Sequence, residues 1–150
     1  MKIICHRANQ DGPKKSVENT LEAIHACFEV GFDVEIDLWA IGEELYLGHD
    51  NPEYKIEYEW VKENTKKLWI HLKNLEALTL FNKLILENRE LNYFWHEEDT
   101  YALTSQGIIW AYPGVPLNES CIAVLPETFN FDKKKQIYGV CTDFPWEYKN

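Results

Sequence analysis

The sequence predicts an α/β fold: a compact, helix-poor parallel (β/α)8 barrel of the TIM type, in one domain over residues 1–150. Three observations predict it. Eight apolar runs have strand length and composition: 2–6, 33–41, 45–49, 68–72, 92–96, 108–112, 121–125 and 137–142. A helical segment joins the first two runs, which makes a βαβ unit and hence parallel strands. Polar residues of catalytic type recur where the runs end, as they do at the C-terminal mouth of such barrels.

Each element follows from its residues. Lys2–His6 is a short apolar run that ends in His6-Arg7. Asn9–Lys15 is a polar loop around Gly12-Pro13. Asn19, with Glu22 three residues on, is the expected cap of a helix over about 20–30. Leu21, Ile24 and Phe28 give that helix one apolar face, and Gly31 ends it. Gly42-Glu43-Glu44 reads as a tight turn into Leu45–His49. Residues 51–67 are polar, with a short helix expected over Glu57–Glu63. Leu75–Glu87 has helical spacing in Leu75, Leu78, Phe81 and Ile85. Tyr101–Gln106 reads as a turn or two of helix, and Asp132–Gln136 is a short connection. Barrels of this kind usually need about 250 residues. At 150 residues, several connections are too short for a full helix.

The chemistry centres on Phe32–Asp50, FDVEIDLWAIGEELYLGHD. In a strand, residues two apart share a face, so Glu35 and Asp37 point one way while Val34, Ile36 and Leu38 are buried on the other. Two carboxylates facing inward repel and resist ionisation, unless a cation sits between them. His49 and Asp50 follow the next run. His71 and Lys73 share a face at the end of 68–72, and His96 ends 92–96.

Composition excludes several classes. A net charge of −10 gives no general attraction for nucleic acid or anionic lipid. No apolar run reaches the ~18 residues of a membrane span, and MKIICHR is too short and too soon polar for a signal peptide. Cys5, Cys27, Cys121 and Cys141 have no CxxC spacing and read as reduced core thiols of a cytoplasmic protein. If the last strand pairs with the first, Cys5 faces outward and Thr142 shares the inward face with His6.

His6-Arg7, Glu18-Asn19-Thr20, Glu35-Ile36-Asp37 and His49-Asp50 resemble, in order and spacing, the HRG, PENT, ExD and HD segments of the glycerophosphodiester phosphodiesterases. WIHLK at Trp69–Lys73 and CTDFP at Cys141–Pro145 resemble the family's fourth-strand and closing segments. The spider-venom-type phospholipase D enzymes share this layout. The chain departs from the pattern at Ala8 (glycine in the family), Val17 (proline) and His71 (an acid).

The resemblance implies a TIM barrel that hydrolyses a small phosphodiester in lipid metabolism with a divalent metal. Glu35, Asp37 and His71 would hold the cation. Mg²⁺ is the family's choice, whereas the imidazole suits Mn²⁺ or another transition metal. Arg7 and Lys73 would cradle the phosphate, and Trp110 would line the substrate pocket with His96. His6 and His49 would act as acid and base. Glu18 reads as a loop clamp. Two other readings are a metal- and phosphate-binding barrel without turnover, and a barrel lyase or isomerase acting on a phosphorylated or sugar substrate.

Overall fold

The βαβ start forms as its residues dictate. The computed structural model describes residues 1–149. β1 (Lys2–Cys5) leads through a single 3-10 turn, His6–Ala8, and a loop to α1 (Leu21–Glu29). Thr20, not Asn19, caps α1, accepting the Ala23 N–H at 3.3 Å. β2 (Asp33–Ile41) then runs parallel to β1, with Ile4 beside Asp33 and Cys5 beside Val34. β3 (Glu44–Leu47) folds back on β2, and β4 (Tyr54–Ile56) folds back on β3. β4 lies in the polar stretch 51–67, where the sequence reading expects a short helix and no strand. α2 (Tyr58–Asn64) leads to β5 (Leu68–Leu72), which pairs with the other edge of β2. α3 (Leu75–Glu87) is capped by Asn74 and leads to the two-residue β6 (Tyr93–Phe94).

The expected (β/α)8 barrel does not form. Among the described residues the chain builds a mixed sheet of 10 strands with three α-helices, and the sheet stays open. β7 (Tyr101–Leu103), where sequence reasoning puts a helical turn, is a strand antiparallel to β8 (Ile109–Ala111). β8 continues in parallel to β9 (Cys121–Val124), β10 (Gly139–Thr142) and so to β1. The first and last strands therefore pair, but the gap lies elsewhere. Among the described residues no ladder joins β6 to β7 or β8. The two edges meet through Ser105, whose N–H donates to the Tyr93 carbonyl (2.8 Å) and whose hydroxyl accepts the Tyr93 N–H (2.9 Å). The reason is length. Closure needs strand number, tilt and register to agree around the ring, and a two-residue β6 cannot supply a second ladder.

The two faces of the sheet carry different cores. Val34, Ile36, Leu38, Leu68, Ile70 and Leu72 pack on one face, against Ile24 and Cys27 of α1 and Phe81 of α3. On the other, concave face, Ile4, Trp69, Phe94, Trp110, Ile122 and Cys141 fill the base. The register sets Ile4 against Cys141 and Cys5 against Thr142. Cys141 thus points inward and Thr142 outward, the reverse of the sequence expectation. All four cysteines are free and buried. Burial pushes the Cys141 thiol well above its usual range, with the Glu35 and Asp143 carboxylates adding to it.

The turn after β3 aims His49. Gly48 has φ +148°, and a Cβ there would lie 2.0 Å from the Asn51 carbonyl oxygen. The Gly48 carbonyl accepts the Trp39 indole N–H at 2.6 Å, which ties the turn to β2. Gly48→Ala is expected to lower stability by about 2 kcal/mol or more, from the strained backbone and the clash together. Denaturant unfolding would measure it, and a wild-type midpoint would show that the turn relaxes freely.

Candidate active site

Parallel pairing brings the acids together with an imidazole. β2 and β5 are neighbours in register, so Asp37 lies beside His71 and Glu35 beside Trp69. Glu35, Asp37 and His71 are buried on the concave face. His71 Nδ1 lies 3.1 Å from Asp37 Oδ1 and 4.0 Å from Glu35 Oε1. One donor atom from each of the three lies within 4.8 Å of the others, so the cluster could hold a metal ion.

The donor set fits a divalent cation. Burial, and then Asp37, push the Glu35 carboxyl above its usual range. A cation would relieve that strain. His71 Nε2 faces the His96 carbonyl at 3.4 Å, and its ring stacks on Phe94 and His96 with centroids at 5.2 and 4.4 Å. Nδ1 donates its proton to Asp37 in this structure; with that proton gone and one on Nε2, Nδ1 would serve as a ligand atom, the usual arrangement for a metal-bound histidine. Asp37 behaves differently from Glu35. Burial opposes its ionisation too, but the His71 bond, Lys73 and Arg7 outweigh that and hold it well below the carboxylate range. Lys73 Nζ lies 3.4 Å from Asp37 Oδ1, and Arg7 Nε lies 3.5 Å from Oδ2.

The turn after β1 is strained in a useful way. Arg7 (φ 51°, ψ 28°) and Ala8 (φ 68°) are both left-handed. Such a conformation costs an L-residue about 1–2 kcal/mol, which is why a glycine would suit position 8. It turns the Arg7 N–H onto Glu35 Oε2 at 3.0 Å. Glu18 clamps this loop, accepting from Asn9 Nδ2 (3.1 Å) and Arg7 Nη1 (3.4 Å).

Each candidate histidine has a carboxylate partner. His6 Nδ1 pairs with Asp143 Oδ1 at 2.9 Å, and Asn9 Nδ2 donates to the same oxygen at 2.9 Å. Burial alone would lower the His6 pKa, but the Asp143 bond and the Glu35 charge raise it above its ordinary value. Asp143 is held below its usual range by His6 and Asn9, against the opposing effect of burial. His49 Nδ1 pairs with Asp50 Oδ1 at 2.8 Å, in a more exposed setting. His49 lies two residues beyond β3, in the Gly48 turn.

One cavity of about 400 Å³ gathers these groups. His6, Arg7, Glu35, Asp37, His49, His71, Lys73 and Trp110 all line it. Trp110 is also core, stacked on Phe94 with ring centroids 4.5 Å apart. His96 lines the cavity too, and burial followed by the neighbouring His71 lowers its pKa. The fifth histidine, His25, lies on α1 and accepts the Trp60 indole N–H at 3.0 Å.

Sequence reasoning places Asn19 and Asp143 near this site but misses what each does there. Asn19, left-handed at φ 59°, is not a helix cap. Its Oδ1 accepts the Asp37 N–H (2.9 Å), its Nδ2 donates to Asp37 Oδ2 (3.0 Å), and its own N–H donates to the Arg7 carbonyl (2.9 Å). Asp143 stands after the last strand with no sequence signal naming its partner, 137 positions away at His6. No helix among the described residues is long and apolar enough to cross a membrane. Comparisons with protein-family models, with curated proteins and with solved structures return no match for this chain.

Proposed function

We propose that this chain is a metal-dependent phosphodiesterase acting on a small glycerophosphodiester-type substrate. The observation that supports it is convergence. Two carboxylates and an imidazole able to hold a cation share one cavity with two cations, Arg7 and Lys73, and two histidines each backed by a carboxylate. A divalent cation held by Glu35, Asp37 and His71 would draw a non-bridging phosphate oxygen and offset the charge that develops on it. Arg7 and Lys73 hold the phosphate and counter the repulsion of a chain with net charge −10. His6 commits Nδ1 to Asp143, which leaves Nε2 for the cavity. The Asp143 carboxylate bonded at Nδ1 favours the charged ring, so His6 suits the acid that protonates the leaving alkoxide. His49 then takes the proton from the attacking hydroxyl, either water or the substrate's own.

Turnover of bis-(p-nitrophenyl) phosphate and of glycerophosphocholine with Mn²⁺ or Mg²⁺ tests the reading. Metal-dependent release of the alcohol is expected, and its absence with both substrates and both metals overturns it. A second reading, metal and phosphate binding without turnover, draws on Asp37, which is already paired with Lys73 and Arg7. Binding of the metal and of phosphate without turnover would favour it. The four reduced thiols suit a cytoplasmic setting.

His71 selects the metal in this reading. An imidazole donor favours Mn²⁺ or a later transition metal over Mg²⁺. His71→Glu is expected to shift the Mn²⁺-to-Mg²⁺ activity ratio towards Mg²⁺ by about tenfold or more. An unchanged ratio, measured at saturating concentrations of each ion, removes His71 from the ligand set.

A further inference from the structure

At the cavity wall, the loop after β9 holds a strained residue that the site chemistry leaves unexplained. Leu125 is left-handed (φ 45°, ψ 54°) and is not glycine. That conformation costs about 1–2 kcal/mol and persists where surrounding bonds dictate it. The Leu125 N–H donates to the Cys141 carbonyl on β10 at 2.7 Å. The Leu125 carbonyl accepts both the Thr128 N–H (2.9 Å) and the Thr128 hydroxyl (2.7 Å). The turn so fixed, Pro126–Thr128, delivers one carboxylate to the end of β10.

That carboxylate is Glu127, and both of its oxygens are engaged. Oε1 accepts the Asp143 N–H at 2.9 Å, and Oε2 accepts the Thr142 hydroxyl at 2.8 Å. The Thr142 hydroxyl in turn accepts the Phe144 N–H at 3.0 Å, so the three residues 142–144 are gripped together. Asp143 is the middle one. Its Oδ1 receives both His6 and Asn9, and its carbonyl accepts the Gly12 N–H at 2.9 Å.

We propose that Glu127 is a positioning residue: it fixes the backbone of Asp143, and through Asp143 the orientation of the His6 imidazole towards the cavity. Glu127 lies outside the His6–Asp143 pair and acts only through it. The proposal rests on the phosphodiesterase reading for its kinetic arm and on the geometry alone for its spectroscopic arm.

The test is a double-mutant cycle with Glu127→Ala and Asp143→Ala, assayed with glycerophosphocholine and Mn²⁺. Glu127→Ala is expected to lower kcat about tenfold with KM within about twofold, since orientation and not binding is lost. Asp143→Ala is expected to lower kcat further, and the double variant no further than Asp143→Ala alone. Glu127→Gln, which keeps one acceptor oxygen and the shape, is expected to retain most of kcat. It also serves if Glu127→Ala does not fold. Additive losses in the cycle, or a Glu127→Gln variant as poor as the alanine, overturn the proposal. The second readout needs no turnover. Wild-type protein is expected to show a downfield, exchange-protected His6 Nδ1 proton by NMR, and Glu127→Ala to lose it. Its persistence overturns the proposal. If wild-type protein hydrolyses no phosphodiester, the phosphodiesterase reading fails and the NMR arm still decides the role of Glu127.

Discussion

Glu35→Gln is expected to abolish metal-dependent turnover, by on the order of a thousandfold, while leaving the fold intact. Loss of a charged ligand forfeits several kcal/mol of charge stabilisation, and each 1.4 kcal/mol or so is tenfold. Gln keeps the volume, and its amide oxygen can still accept the Arg7 N–H that Glu35 Oε2 accepts at 3.0 Å. The stability effect runs the other way. Burial and Asp37 raise the Glu35 pKa above its unfolded value. A raised carboxyl pKa means that the folded state binds the proton more tightly. Metal-free protein therefore loses stability as pH climbs from the unfolded pKa through the folded one. Gln removes that loss, so metal-free Glu35→Gln should melt at or above the wild-type temperature at neutral pH. Added Mn²⁺ should raise the wild-type melting temperature by mass action and leave the variant unmoved. A variant that retains wild-type turnover at saturating metal, or the metal-induced rise, removes Glu35 from the cluster.

How much of this could be read from the chain depends on the range of the interaction. Period-two alternation in Val34–Leu38 and Leu68–Lys73 puts Glu35 with Asp37 and His71 with Lys73, because a strand's faces are a local property. The same pattern says nothing about which strands are neighbours. That Asp37 sits beside His71 needs the β2–β5 ladder, which joins residues 34 positions apart. The barrel fails for the same reason. Strand-like runs are countable, but closure requires a ladder at every junction, and the Asn92–His96 run yields only Tyr93–Phe94 as strand. Tyr101–Leu103 is too short for its period to separate helix from strand, and its pairing with β8 decides it. Asn19 is the instructive miss. An asparagine ahead of an apolar helix reads as a cap, but its amide faces Asp37, donating to the carboxylate and accepting the backbone N–H. Thr20, one residue on, takes the capping role instead.

His6 and Asp143 give the second large effect. Asp143→Asn is expected to lower kcat on the order of a thousandfold, with metal affinity unchanged. The aspartate accepts from His6 Nδ1, so the proton sits there and Nε2 faces the cavity. An asparagine carries no charge to favour the imidazolium, and if its NH₂ turns towards Nδ1 that nitrogen must stay unprotonated, which excludes the doubly protonated ring that acts as the acid. Loss of the orienting carboxylate in an analogous acid–base pair is worth about 10⁴, and proton transfer itself about 10²–10⁴. Stability against pH carries an independent signature. The His6 pKa is raised in the folded state, so the ion pair with Asp143 stabilises fully below the unfolded imidazole pKa of about 6.5. That contribution is lost as pH rises through the folded value. Asp143→Asn should therefore lower the melting temperature more at about pH 5.5 than at about pH 9, by which point the ion pair contributes less. An equal drop at both pH values would mean that Asp143 serves the fold through Asn9 and Gly12, and not the charge on His6.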